Sequence, residues 1–440
     1  MSTTRALSPG SAVAVVGSGV AGLTAAHLLS REHVVTLVEA DSRLGGHAHT
    51  QRLHTTTGQV LDVDTGFIVH NDRTYPTLLR LFAELGVPTQ DSDMSMSVAS
   101  EITGLEYAGA LGIGGLFPQR ANVFSVRHIR MLAEVRRFHR LAREVLDGPA
   151  DDVPLSGFVA TAGLSTYFVD NFLLPLVAAV WSCDAATAAD FPARYLFTFL
   201  DHHGMLTVFG SPAWRTVTGG SDTYVQAIAR GIGRRGGEVR TSSKVIGLRE
   251  TADGVVLRSS DSAEVYDAVV VATHPHQALA LLEHPTGSQR AVLGALRYSA
   301  KHAVLHTDES LLPRARRARA SWNYQIRSDE AGIAVTYDLT RLMRLPAASE
   351  RALVTMGRTD LVDPATIVAD MTYEHPVYDV EFVAAQRRLA EVDTVRTSFA
   401  GAYHGWGFHE DGAAAGAAAA HRLGGRWGMA DDDLLAETAR

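Results

Sequence analysis

Ala12-Val13-Ala14-Val15-Val16 runs directly into Gly17-Ser18-Gly19-Val20-Ala21-Gly22, and the later run Val34-Val35-Thr36-Leu37-Val38 ends on Glu39. The first stretch is a short continuous apolar run, the pattern of a parallel strand buried on both faces. Residues 23–30 read as a helix and Val34–Val38 as a second, β-branched strand, which completes one βαβ unit of about 30 residues. Gly17 permits the tight turn, Gly19 lets backbone approach a pyrophosphate, and Gly22 lets helix and strand pack closely. The N–H groups around Ser18, Val20 and Ala21, together with the helix dipole, favour that anion. Glu39 lies 22 residues after Gly17. A carboxylate there, with Ala40 beside it, accepts hydrogen bonds from adenosine ribose hydroxyls and disfavours a 2′-phosphate. A glycine turn without ligand is the competing reading, and the strand–turn–helix context argues against it. The motif alone leaves NAD and FAD open.

The surrounding composition is that of a globular chain. With 46% apolar and 20% charged residues over 440 positions, disorder and collagen-like repetition are ruled out as the main state. The length suggests about three domains, or two large ones. Lys+Arg number 40 against 48 Asp+Glu, a net −8 that disfavours a general nucleic-acid binder. Only Lys244 and Lys301 are lysines, a bias that GC-rich codons explain. The single cysteine, Cys183, removes intrachain disulfides and CxxC-type zinc sites. No secretory signal is readable, and no apolar run reaches the roughly 18 residues of a spanning helix. The expectation is a cytoplasmic protein, with contact to a membrane surface left open.

Helix-like segments follow at 75–85, 126–146 and 192–202. The long one carries Val126, Ile129, Leu132, Val135, Phe138, Ala142 and Val145 at helical steps, with arginines on its other faces. Those arginines read as a solvated face or as a patch that docks on anionic lipid or a partner. Nucleotide-domain texture returns later: residues 244–249 and 255–258 read as antiparallel strands and 267–273 as a buried parallel strand. Residues 290–390 are strand-rich around 303–306, 334–337 and 353–356. A short strand at 397–401 then leads to an alanine-rich helix at 413–423. The expected layout is a nucleotide-binding domain in three pieces (1–73, 214–289 and 392–440) and a substrate domain built from 74–213 and 290–391.

Arg43-Leu44-Gly45-Gly46 follows Glu39. Here the chain resembles the flavoprotein superfamily of amine oxidases, protoporphyrinogen oxidases and phytoene desaturases, whose fingerprint ends in an Arg-x-Gly-Gly element on the FAD diphosphate. Trp214-Arg215-Thr216-Val217-Thr218-Gly219-Gly220 is similar to the family's approach to the second flavin section. Lys244-Val245-Ile246 is similar to the strand whose backbone, here at Val245, meets the adenine. Val269-Val270-Val271-Ala272-Thr273 resembles the strand ending close to the cofactor. Phe399-Ala400-Gly401 with Glu410-Asp411-Gly412-Ala413 resembles the C-terminal flavin motif. The resemblance implies an α/β fold, a Rossmann-like FAD-binding domain of glutathione-reductase type with an interleaved α+β substrate domain. It implies FAD as cofactor, with His47, Gly66, Phe67 and Ile68 added to the residues that hold it.

Within that superfamily the chain is most similar to a bacterial group of predicted NAD/FAD-binding amine-oxidoreductase-like proteins. Asp62-Val63-Asp64-Thr65-Gly66-Phe67-Ile68-Val69 and Tyr403-His404-Gly405-Trp406-Gly407-Phe408-His409 are among the residues that carry this likeness. Members often neighbour cyclopropane-fatty-acid-synthase-like methyltransferases, which implies acyl-chain or lipid chemistry. Amine oxidases place a lysine on a substrate-domain strand near the flavin, and Lys301 in Tyr298-Ser299-Ala300-Lys301 falls at the matching position; a surface lysine is the alternative. Phe408 stands where a C-terminal tyrosine is expected, and its spacing to Gly412 departs from the amine-oxidase pattern, which suits an apolar substrate better. His375 and His404 are candidates to move a proton, or else scaffold of irregular loops. The pairs His47/His49, His202/His203 and His274/His276 do not form a metal motif, so no metal is expected. Nor is a covalent flavin link assigned to Cys183. Three readings follow: an FAD oxidoreductase that dehydrogenates or rearranges an acyl chain or lipid, a flavin amine oxidase, and a non-catalytic FAD-binding partner of a lipid methyltransferase. The oligomeric state is not legible.

Overall fold

The computed structural model describes residues 7–149, 152–181, 185–207, 210–328, 334–346 and 350–428; Cys183 lies outside them. Five parallel strands form one sheet in the order Glu238–Arg240, Val34–Val38, Ala12–Val16, Ala268–Val271, Thr397–Phe399. Ala12–Val16 and Ala268–Val271 at its centre are apolar throughout because both faces are covered, and Val13, Val15, Val269 and Val271 are fully buried. Helix Val20–Leu29 is buried along its whole length. The C-terminal helix His409–Arg422 lies against it at backbone distance. A Cβ added at Gly416 would sit 2.1 Å from the Ala21 carbonyl oxygen, and one at Gly412 2.6 Å from Val20. The Gly/Ala composition of that helix is therefore a packing requirement.

A second sheet has seven strands, ordered Ile367–Pro376, Tyr298–His306, Leu353–Gly357, Ala334–Asp338, Trp322–Ile326, Met96–Ser100, Glu106–Ala108. All its pairings are antiparallel except Trp322–Ile326 with Met96–Ser100. Residues 74–213, in which the sequence marks only helices, thus contribute two strands to this sheet. A small antiparallel sheet of His70–Asn71, Trp214–Val217 and Thr89–Asp91 crosses the boundaries expected at 73/74 and 213/214.

The three expected helices form as Pro76–Leu85, Val126–Asp147 and Ala193–His202. The inward face of the long one differs from the expectation. His128, Met131, Phe138 and Ala142 are buried, whereas Val126 and Ile129 are 79% and 49% exposed. The Ser125 side chain caps the helix by accepting from the His128 N–H, and the His128 ring Nε2 lies 2.9 Å from the Leu116 carbonyl oxygen. These contacts turn His128 inward in place of Ile129. Residues 244–246 also depart from the strand read there, since the strand begins at Gly247. Ser243 donates its N–H to the Glu39 carbonyl, so the chain crosses the end of the parallel sheet before joining the ladder. No described helix is long and apolar enough to cross a membrane.

Candidate active site

A cavity of about 940 Å³ opens at the carboxyl ends of the parallel strands and runs under the seven-stranded sheet. Ligands of open α/β sheets bind in this crevice. One end is lined by Glu39, Ala40, Asp41, Lys244 and Val245. The Glu39 carboxylate accepts from the Ser18 N–H at 2.8 Å and the Ser18 hydroxyl at 2.6 Å through one oxygen, and from the Asp41 N–H through the other. It is held at the turn, facing the cavity. The middle is lined by Gly17, Ser18, Gly19, Val20, Ala21, Arg43, Gly46 and His47. Gly17 has φ +99°, and a Cβ there would meet the Ala272 carbonyl oxygen at 2.7 Å, while one at Gly19 would meet nothing within 4 Å. The turn therefore leaves open space where backbone N–H groups can reach an anion.

Beyond it the wall is Thr65, Gly66, Phe67, Ile68, Ala272, Thr273, Gly401, Ala402 and Tyr403. Phe67 donates its N–H to the His47 carbonyl at 2.7 Å, and a Cβ at Gly66 would sit 2.2 Å from that oxygen, so the two loops clamp together. Asp64 anchors the clamp. Its buried carboxylate accepts from Ser221 N–H and hydroxyl and from the Thr50 hydroxyl, yet burial still pushes its pKa up to about 6.

Polar groups converge on the same wall. The Tyr373 hydroxyl lies 2.8 Å from Thr65 Oγ1 and 3.0 Å from His49 Nδ1. The His47 ring is 5.0 Å from Tyr373, 5.7 Å from His375 and 6.1 Å from His274. His274 Nδ1 meets Glu374 at 2.6 Å, with the His274 ring stacked on Tyr298. Burial, then the neighbouring imidazoles, hold His47 well below the ordinary histidine range. Burial, followed by the charge of Lys301, lowers His375 to about 4. Burial favours the neutral form of the His47 and His375 rings. The far end is apolar, lined by Met94, Val180, Met205, Trp322, Tyr337 and Met356.

Residues 20–308 match the family of flavin containing amine oxidoreductases. The chain belongs to that family. No curated protein sequence matches it. Solved structures similar to it include cyclohexylamine oxidase from Brevibacterium oxydans IH-35A, with 18% identity, TM-score 0.65, and 94% of this chain and 99% of that chain covered. A CLA-producing fatty acid isomerase from P. acnes shares 14% identity at TM-score 0.67, covering 95% and 100%. Putrescine oxidase bound to putrescine shares 16% at TM-score 0.66, covering 95% and 99%. At such identities these likenesses speak for the fold.

This flavin containing amine oxidoreductase is an FAD-dependent oxidoreductase, and its cavity fits that cofactor. The open space at Gly19 suits a diphosphate, the Glu39 carboxylate a ribose, and the clamp formed by residues 47 and 66–68 borders the same cavity. Most of the residues expected to hold FAD line this one cavity, and six stand off it. Gly22 and Gly45 act by packing: a Cβ would fall 1.9 Å from the Gly17 oxygen and 2.4 Å from the Ala48 oxygen, respectively. Gly412 and Ala413 belong to the helix crossing. Glu410 departs from the expectation because its carboxylate caps helix Pro76–Leu85, accepting the Thr77 and Leu78 N–H groups at 2.9 Å. Asp411 likewise accepts the Phe408 N–H. His375 lines the cavity, whereas His404 and Lys301 do not. His404 is exposed. Lys301 pairs across the sheet with Tyr373 and shares its face.

The sequence reading missed the His274–Glu374 pair, Tyr298, Tyr373 and the apolar end of the cavity. The Pro275 turn that brings His274 and His276 toward Glu374 was the available signal, at 2.6 Å and 3.7 Å. Residues 109–116 form two short helices off the cavity.

Proposed function

We propose that this FAD-dependent oxidoreductase acts on an apolar substrate, an acyl chain or similar lipid, removing hydrogen from carbon or moving a double bond. The observation that carries this reading is the far wall of the cavity, where Met94, Trp322, Tyr337 and Met356 offer apolar and aromatic contact and no carboxylate. An apolar chain gains roughly 0.8 kcal/mol per buried CH₂ against such a wall. An ammonium group there would be desolvated without a counter-charge. FAD, when bound, supplies the two-electron acceptor. His375 is the proton acceptor: it faces the cavity, and burial keeps it neutral at pH 7 with a free lone pair. Lys301 is a positioning residue whose charge helps to hold His375 unprotonated.

The test is anaerobic. Purified protein loaded with FAD is mixed with unsaturated and saturated acyl lipids, and separately with aliphatic and aromatic amines. Bleaching of the flavin band, or a shifted double bond in the recovered lipid, supports the reading. Bleaching by amines with none by lipids establishes an amine oxidase instead.

A further inference from the structure

A face far from the redox chemistry is built from residues 109–130 and the turn at 314–317, none of which lines the cavity. Glu106 stitches it together. Its carboxylate accepts the Arg314 and Ala315 N–H groups at 3.0 and 2.7 Å, and its carbonyl accepts Asn122 Nδ2 at 3.2 Å. The buried His128 ring joins the helix start to Leu116 and packs edge-on against Phe117 at 5.4 Å. Gly114 lies beside the Arg317 side chain. On this braced frame Phe124 is 86% exposed and Ile113 80%, with Val126, Val123 and Ile129 also open to solvent. Apolar side chains this large and this exposed on neighbouring turns mark an interaction surface.

The charge on that face is one-sided. Residues 107–133 and 310–328 contain no Asp or Glu, although the chain as a whole carries −8. Arg120, Arg127, Arg316 and Arg317 are exposed, and their guanidinium groups make no hydrogen bond or ion pair with any described residue. Farther along the same helix, by contrast, Arg137 donates to the Ala162 and Gly163 carbonyls, Arg140 pairs with Glu144, and Arg143 donates to the Leu206 carbonyl, while Arg136 stays exposed. We propose that this face docks the protein on an anionic lipid bilayer, with Ile113, Phe124 and Val126 entering the headgroup layer and the free arginines meeting lipid phosphates. A second copy of the chain fits poorly, since a two-fold contact would set each arginine patch against itself.

Vesicle sedimentation of the full FAD-loaded chain decides it. Phosphatidylcholine vesicles containing phosphatidylglycerol should bind the protein, pure phosphatidylcholine should not, and binding should fall as salt rises. The double variant Phe124→Glu/Val126→Glu should lower partitioning at least tenfold. Arg127→Gln, a surface change with no folding penalty, should lower it about fivefold. Both variants should retain wild-type FAD content. Equal binding to both vesicle types, or variants that bind like wild type, would overturn the proposal. So would a concentration-dependent dimer abolished by Phe124→Glu in a protein that ignores vesicles.

Discussion

Buried imidazoles dominate the titration of this protein. His70, His203, His306, His375 and His409 are pushed by burial from 6.5 to about 4, or about 3 for His409. An unfolded chain protonates all five near 6.5 while the folded one does not, so each stabilises the fold above its unfolded pKa and loses that contribution as pH falls. Asp64 and Asp411, raised by burial to about 6 and about 7, act in the opposite sense. His49 and His139 are lowered in the same way, so lowered imidazoles outnumber raised carboxyls and unfolding takes up protons net. Stability should therefore rise with pH between about 4 and 6.5. Urea titrations at pH 5, 6 and 7 check this, and a midpoint that stays level or falls would contradict it. Glu39 carries a separate prediction. Its replacement by Ala removes the acceptor proposed for a ribose hydroxyl and frees Ser18 from the turn. FAD binding should weaken between about tenfold and a hundredfold, the cost of a lost charged hydrogen bond, as read by fluorescence quenching.

Between elements, a backbone-distance contact joins helix Val20–Leu29 to helix His409–Arg422. Gly416 has no room for a side chain because the Ala21 carbonyl oxygen stands 2.1 Å from where its Cβ would be. Gly416→Ala should separate the helices and cost about 1–3 kcal/mol, measured by thermal unfolding. An unchanged midpoint would mean that the helices slide apart freely. The sequence carried this element well, since its Gly/Ala spacing and its place after a short strand are local patterns. The strand–turn–helix was legible for the same reason: Gly17, Gly19 and Glu39 lie within one βαβ unit, close along the chain. The wall opposite was not legible. Met94, Trp322, Tyr337 and Met356 come from four separate stretches, and only the strand order of the seven-stranded sheet brings them together. The inward face of helix Val126–Asp147 escaped for a different reason: a buried histidine took the place that hydropathy assigned to Ile129.

Across the whole molecule, the two inserted segments cannot form their sheet separately. Met96–Ser100 pairs with Trp322–Ile326, more than two hundred residues away along the chain. The strand Trp214–Val217 pairs with both His70–Asn71 and Thr89–Asp91, tying the parallel sheet's neighbourhood to the first insertion. Tyr373, on the edge strand of the large sheet, reaches Thr65 and His49 beside the nucleotide turn. Apolar burial is shared as well, because one continuous core cluster includes Val16 and Val271 of the parallel sheet along with Leu305 and Val354 of the other. Such interleaving makes unfolding of one part expose the packing surface of the other, so the chain should melt in one cooperative step. FAD should raise that step as a unit, because the cofactor binds the folded chain and its cavity is walled by both sheets. At a free concentration one hundred times its dissociation constant the added stability is about 2.7 kcal/mol. Far-ultraviolet dichroism and flavin fluorescence followed together on heating provide the test. Flavin release and loss of helix should share one midpoint, which rises with FAD concentration. Flavin released well below the helical transition would show that the nucleotide-binding half opens alone, and that the strand pairings across the insertions do not couple the two halves.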